Sequence, residues 1–127
     1  MDVGIDIVEI NRISKQLHNP RFLKRVYTPQ EVAYCRSLKN SAQHFAVRFA
    51  AKEAVWKAIA SCAIVRRSSG GQGLTHRDIQ VRNRPNGKPE VVFPKRFARL
   101  ARRLSISLSH GRDYAVAMAL YAKRARE

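Results

Sequence analysis

Two carboxylates in a strongly basic chain pose the chemical question. Asp6 stands in the alternating stretch Val3-Gly4-Ile5-Asp6-Ile7-Val8, and Glu53 stands in RFAAKEAVWKAI, residues 48–59. Glu53 is the one acid between Glu31 and Asp78, and Arg48, Lys52 and Lys57 flank it. Each acid has an ordinary use. Asp6 would point out of an edge strand, and Glu53 would pair with Lys57 one turn on, for about 0.2–0.5 kcal/mol. Together they have another. A carboxylate in mid-strand is costly to bury alone, but a central strand with a long helix packed across it would bring the two acids together. Two oxygen donors with open positions suit Mg²⁺, which keeps its waters and takes phosphate oxygens as further ligands. Ringed by Arg48, Lys52 and Lys57, such an ion would make a pyrophosphate site.

A weaker phosphate signal lies near the C-terminus. Ser107-Leu108-Ser109-His110-Gly111 offers hydroxyls, an imidazole and backbone N–H groups at one strand end, which is the make-up of an anion nest. His18, His44 and His76 show no ligand spacing and read as ordinary. Glu31 follows Thr28-Pro29 at the spacing of a reciprocal helix cap, so it reads as structural.

The elements that must position these groups are legible in outline. Val3, Ile5 and Ile7 alternate with Gly4, Asp6 and Val8, which is strand spacing. Ile10, Ile13 and Leu17 make a helical stripe that Asn19-Pro20 ends. Asn40-Ser41 opens a long helix with Phe45, Phe49, Trp56 and Ile59 on its apolar side. Residues 65–73 read as a flexible loop. Asn86-Gly87 between DIQVR and EVVF is a hairpin signal. PKRFARLARRL reads as a short basic helix opened by Pro94. In the last hairpin Ile106 and Leu108 alternate with serines, and Tyr114, Val116, Met118 and Leu120 alternate with Ala115, Ala117 and Ala119. That small-residue face would admit a helix at close range. The order gives an α+β fold, a largely antiparallel sheet with one long helix packed on it, as a single domain over 1–127.

Composition narrows the class. The 127 residues carry 25 Lys and Arg against 9 acids, net +16, which favours a polyanionic partner reached by long-range steering. Nucleic acid, an acidic protein and a phosphorylated small molecule all satisfy that. Cys35 and Cys62 lack zinc-like or CxxC spacing and read as buried free thiols. The opening MDVGIDIVEI lacks a basic leader and is broken by acids, unlike a signal peptide. No run of about 18 apolar residues suggests a membrane span. A reduced, cytoplasmic protein is expected.

GIDIVEI, RFLKRVYT, RFAAKEAVWKAI, DIQV with NGKPEV, and SISLSHGRDYAVAMAL occur in an order and spacing that resembles the holo-acyl-carrier-protein synthases. These are the small bacterial 4′-phosphopantetheinyl transferases, and the resemblance spans nearly the whole chain. It implies Mg²⁺-dependent transfer of 4′-phosphopantetheine from coenzyme A to a serine of apo-acyl carrier protein, in fatty acid biosynthesis, with release of adenosine 3′,5′-bisphosphate. It implies a homotrimer with coenzyme A between subunits.

By motif, the resemblance makes Asp6 and Glu53 the metal ligands. Lys57 would neutralise charge on the phosphoryl oxygens, and Glu53 or a metal-held water would take the serine proton. Arg48 and Lys52 would hold phosphates. Ser109 and His110 would contact the 3′-phosphate of coenzyme A, and Asn86, Gly87 and Pro89 would lie near the nucleotide end. Arg12, Arg21 and Arg25, with Phe22 as an apolar contact, resemble a docking face for the acidic carrier protein. The chain departs from the family's pattern twice. Asp2 stands where the family often has a second glycine, and the glycine-containing loop usual after Lys57-Ala58 is missing, with Gly70, Gly71 and Gly73 appearing only later. The alternative from another class is a basic nucleic-acid-binding module. Charge favours it, but no helix-turn-helix, RRM or KH pattern accompanies the charge. A scaffold without catalysis would not need Asp6, Glu53 and Lys57.

Overall fold

The computed structural model describes residues 1–67 and 73–123. The chain runs β1 (Asp2–Glu9), α1 (Ile10–Gln16), α2 (Pro20–Val26), α3 (Pro29–Arg36), α4 (Ser41–Ile59), α5 (Ala63–Arg67), β2 (Gln80–Asn83), β3 (Pro89–Val92), β4 (Leu104–His110) and β5 (Tyr114–Tyr121), with 3-10 turns at His76–Asp78 and Lys95–Arg103. The main sheet is antiparallel in the order β1-β5-β4, and β2 and β3 pair separately as a hairpin. This is the expected α+β architecture.

The long helix α4 lies across the main sheet, and small side chains let it lie close. Ala115, Ala117 and Ala119 of β5 are buried beneath it, as are its own Ala46, Ala50, Ala51, Ala54 and Ala58. At Gly4 the approach is closest, because a Cβ there would collide with the Ala54 carbonyl oxygen and the Ala58 nitrogen. The register sets Gly4 opposite Ala119 and Asp6 opposite Ala117. Period-2 geometry then puts Gly4, Asp6 and Val8 on the helix side of β1.

Local chemistry explains the element ends. Asn19 Oδ1 accepts from the Arg21 amide at the start of α2. Thr28 and Glu31 cap α3 reciprocally, at 3.1 and 2.9 Å. Asn40 takes a left-handed φ of 55° just before α4, a conformation asparagine tolerates better than most residues. The β2–β3 hairpin turns through Gly87 at φ 86°, with the Arg84 amide donating to the Lys88 carbonyl. Cys35 and Cys62 are free and buried, and burial pushes the Cys35 thiol up to about 11.

Several expectations need correction. β1 is an edge strand and not a central one. Its apolar residues Val3, Ile5 and Ile7 face away from α4 and are more than half exposed. Trp56 is 37% exposed, whereas Phe45 and Ile59 of the same expected apolar side are buried. The basic segment after Pro94 is a 3-10 helix that buries Phe97 and Leu100. After Lys57-Ala58 the helix ends at Ile59 and a short second helix begins at Ala63, so no glycine loop occupies that place. Of the loop expected over 65–73, residues 68–72 lie outside the described residues. Among the described residues no helix is long and apolar enough to cross a membrane.

Candidate active site

β1 and α4 deliver Asp6 and Glu53 to one place. Asp6 hangs from the helix side of β1, with its side chain 19% exposed. Lys57 reaches across from α4, and its Nζ donates to the Ile5 carbonyl at 3.0 Å and to Asp6 Oδ1 at 3.4 Å. The Asp6 carboxyl is held above its usual pKa, chiefly by burial, with the Glu53 charge adding to the rise. The Lys57 hydrogen bond and charge, and more weakly the Arg12 charge, pull the other way. The Glu53 charge thus bears on Asp6, and a divalent cation between the two would relieve that repulsion. Among the described residues no group of three or more His, Cys, Asp and Glu side chains could hold a metal. Asp6 and Glu53 remain as a candidate pair of carboxylate donors.

Glu53 does not pair with Lys57. Its Oε1 accepts from Nε2 of His76 at 2.8 Å. The His76 ring lies parallel to Phe49, 5.9 Å away with 6° between planes. Sequence spacing gave no sign of this partner, since His76 is 23 residues from Glu53 and arrives through the turn before β2. The Thr75-His76-Arg77-Asp78 cap (Thr75 N to Asp78 Oδ2, 2.9 Å) signals a turn and nothing about what it delivers.

Lys52 and Phe22 are not where their expected roles need them. Lys52 is fully buried, and its Nζ donates to Glu31 Oε1 at 2.8 Å and to the carbonyls of His76 and Ile79 at 2.9 and 2.7 Å. An ammonium has three donors, so none remains for a phosphate. Burial also drags the Lys52 pKa down, with Glu31 opposing. Glu31 does more than cap a helix, because its Oε2 also accepts from the Val81 amide at 2.9 Å. Phe22 is 7% exposed and packs on Phe49 and Tyr27, so it forms core and not an apolar docking contact. Arg12, Arg21 and Arg25 are exposed on α1 and α2.

A second group sits nearer the start of α4. Arg48 is buried with its guanidinium 4.5 Å from the Tyr34 ring centroid, and its Nε has no hydrogen-bond partner among the described residues. The rings of His44 and His110 meet edge to face at 5.9 Å. Burial, then the charges of Arg48 and His110, hold His44 below the usual histidine pKa. Ser109 is exposed on the outer face of β4, and Asn86 and Gly87 are exposed at the hairpin tip. Pro89 opens β3, paired with Asn83. Among the described residues no side-chain hydrogen bond ties these four to either group.

The sequence profile of the 4′-phosphopantetheinyl transferase superfamily matches residues 2–119. The chain belongs to that superfamily. The transferase is 42% identical over 124 residues to the holo-[acyl-carrier-protein] synthase of Koribacter versatilis, covering 92% of this chain and 94% of that one. Its fold matches a Bacillus anthracis holo-(acyl-carrier-protein) synthase solved in complex with CoA (3′,5′-ADP). The TM-score is 0.70 at 34% identity, covering 93% of this chain and 92% of that one. It also matches the Helicobacter pylori synthase solved with coenzyme A, at TM-score 0.73 and 28% identity, over 94% and 99% of the chains. The transferase thus falls among the holo-acyl-carrier-protein synthases and is an enzyme.

Proposed function

We propose that this transferase moves 4′-phosphopantetheine from coenzyme A to a serine of apo-acyl carrier protein, with Mg²⁺, in the cytoplasm and in the service of fatty acid biosynthesis. One observation carries the reading. Asp6 and Glu53, far apart in sequence, converge where Lys57 already grips Asp6. Two hard carboxylates that repel one another fit Mg²⁺, with water and phosphate oxygens completing its shell. When bound, that ion would neutralise charge on the pyrophosphate.

The chain's own residues do the rest. The serine oxygen forms a bond to the β-phosphorus of coenzyme A, and the bond to adenosine 3′,5′-bisphosphate breaks. Lys57 is half exposed and free to turn from Asp6 toward the phosphoryl oxygens, where a cation lowers the barrier by electrostatics. Glu53, or a water held beside it by the ion, would accept the serine proton. Arg48, whose Nε has no hydrogen-bond partner among the described residues, and His110 would offer cationic or donor groups to the phosphates. Ser109, Asn86, Gly87 and Pro89, which among the described residues make no side-chain hydrogen bond to either group, would serve a site completed by a neighbouring subunit. The exposed apolar face of Val3, Ile5, Ile7, Tyr114 and Met118 supports such a homotrimer, since a patch of this kind marks an interface. Arg12, Arg21 and Arg25 would steer the acidic carrier protein toward Asp6.

Intact mass spectrometry of apo-acyl carrier protein incubated with the transferase, coenzyme A and Mg²⁺ tests the reading. A gain of one phosphopantetheine, abolished by EDTA, is expected. No gain with several bacterial carrier proteins would overturn it.

A further inference from the structure

His76 is held on two sides. Its carbonyl accepts from Lys52 Nζ at 2.9 Å, and the same ammonium grips Ile79 O at 2.7 Å. Glu31 Oε1 binds that ammonium, and Glu31 Oε2 takes the Val81 amide. The buried Glu31–Lys52 pair therefore fixes the backbone from 76 to 81, and it is fully buried on both sides. The ring is fixed separately, flat against Phe49, which is itself stacked on Phe22. What projects from this mount is Nε2, 2.8 Å from Glu53 Oε1.

Lys52 and Glu53 are adjacent on α4, so one turn of helix both anchors the His76 segment and receives its imidazole. A glutamate has rotamer freedom that a cation would otherwise have to freeze out. Partners of this type orient ligating carboxylates and typically matter 10–100-fold in metal affinity. We infer that His76 is a positioning residue for Glu53: its N–H occupies Oε1, fixes the carboxylate's rotamer and leaves Oε2 for the cation shared with Asp6. The inference rests on the metal reading above.

The test measures Mn²⁺ affinity by the electron paramagnetic resonance of free Mn²⁺, with coenzyme A present. It compares the unaltered protein, Glu53→Gln, His76→Phe and His76→Gln. Phenylalanine keeps the stack on Phe49 and loses the donor, whereas glutamine keeps a donor near the position of Nε2. His76→Phe should weaken Mn²⁺ binding roughly 10–100-fold, and His76→Gln should recover most of the loss. Unchanged affinity in His76→Phe overturns the inference and leaves the metal reading intact. Glutamine as weak as phenylalanine also overturns it, because the donor is then not what matters. If the unaltered protein binds Mn²⁺ no better than Glu53→Gln, the metal reading fails and takes this inference with it. Should His76→Phe not fold, His76→Leu against His76→Gln gives the same contrast.

Discussion

Glu53 and Lys52 are neighbours on one helix with opposite fates. Glu53 is 28% exposed, while the Lys52 side chain is fully buried. Glu53→Gln keeps size and hydrogen-bonding capacity but removes a hard anionic donor, so it should abolish transfer while leaving thermal unfolding near that of the unaltered protein. Near-normal rates would sink the metal assignment. Lys52→Met acts on stability instead. It strands a buried Glu31 carboxylate and two carbonyls, and removing one partner of a buried pair costs about 3–5 kcal/mol. Denaturant unfolding should show that loss. A cost below about 1 kcal/mol would mean that Lys52 behaves like an exposed ion pair.

The site depends on how closely α4 approaches β1. Gly4 and the alanines of β5 set that distance, and a wider spacing would move Asp6 away from the Glu53 charge that bears on it. Gly4→Ala would push the strand from the Ala54 carbonyl and Ala58 amide. Overpacking of this kind costs about 1–3 kcal/mol or more. The expected outcome is a lower midpoint of unfolding together with weaker metal affinity, because the two carboxylates separate. A variant with unchanged stability would show that the helix can shift freely. Much at this level was legible in the sequence: the Thr28–Glu31 cap, the Asn86-Gly87 turn, and the small face of β5. Each depends on neighbours within a few residues or on period-2 alternation. On α4 the expected apolar side holds for Phe45, Phe49 and Ile59 and fails at Trp56, and the alanines that make the closest contact with the sheet carry no periodic signal of their own.

At the scale of the whole molecule, one sheet face packs α4 and the other is open. Val3, Ile5 and Ile7 lie across from Leu120, Met118 and Val116, and the first three remain more than half exposed. Placing a lysine there would cost little in a monomer and much in an assembly that buries this face. If the proposed trimer forms through this face, Ile5→Lys should leave circular dichroism unchanged, shift light scattering from trimer to monomer, and depress transfer by splitting a shared site. An unaltered protein that scatters as a monomer at working concentration would remove the shared-site picture altogether.

Residue type and spacing were enough for the α+β class, the family resemblance and the choice of Asp6 and Glu53. A lone acid in a basic helix and a charge in mid-strand are anomalies that local rules do not absorb. Tertiary packing alone decided the rest. It turned Lys52 inward to Glu31, buried Phe22, left Lys57 to Asp6 and not to Glu53, and carried His76 to the carboxylate. Those contacts join residues 21 to 51 positions apart, and such partners are set by how helix and turn stack, which no local periodicity encodes.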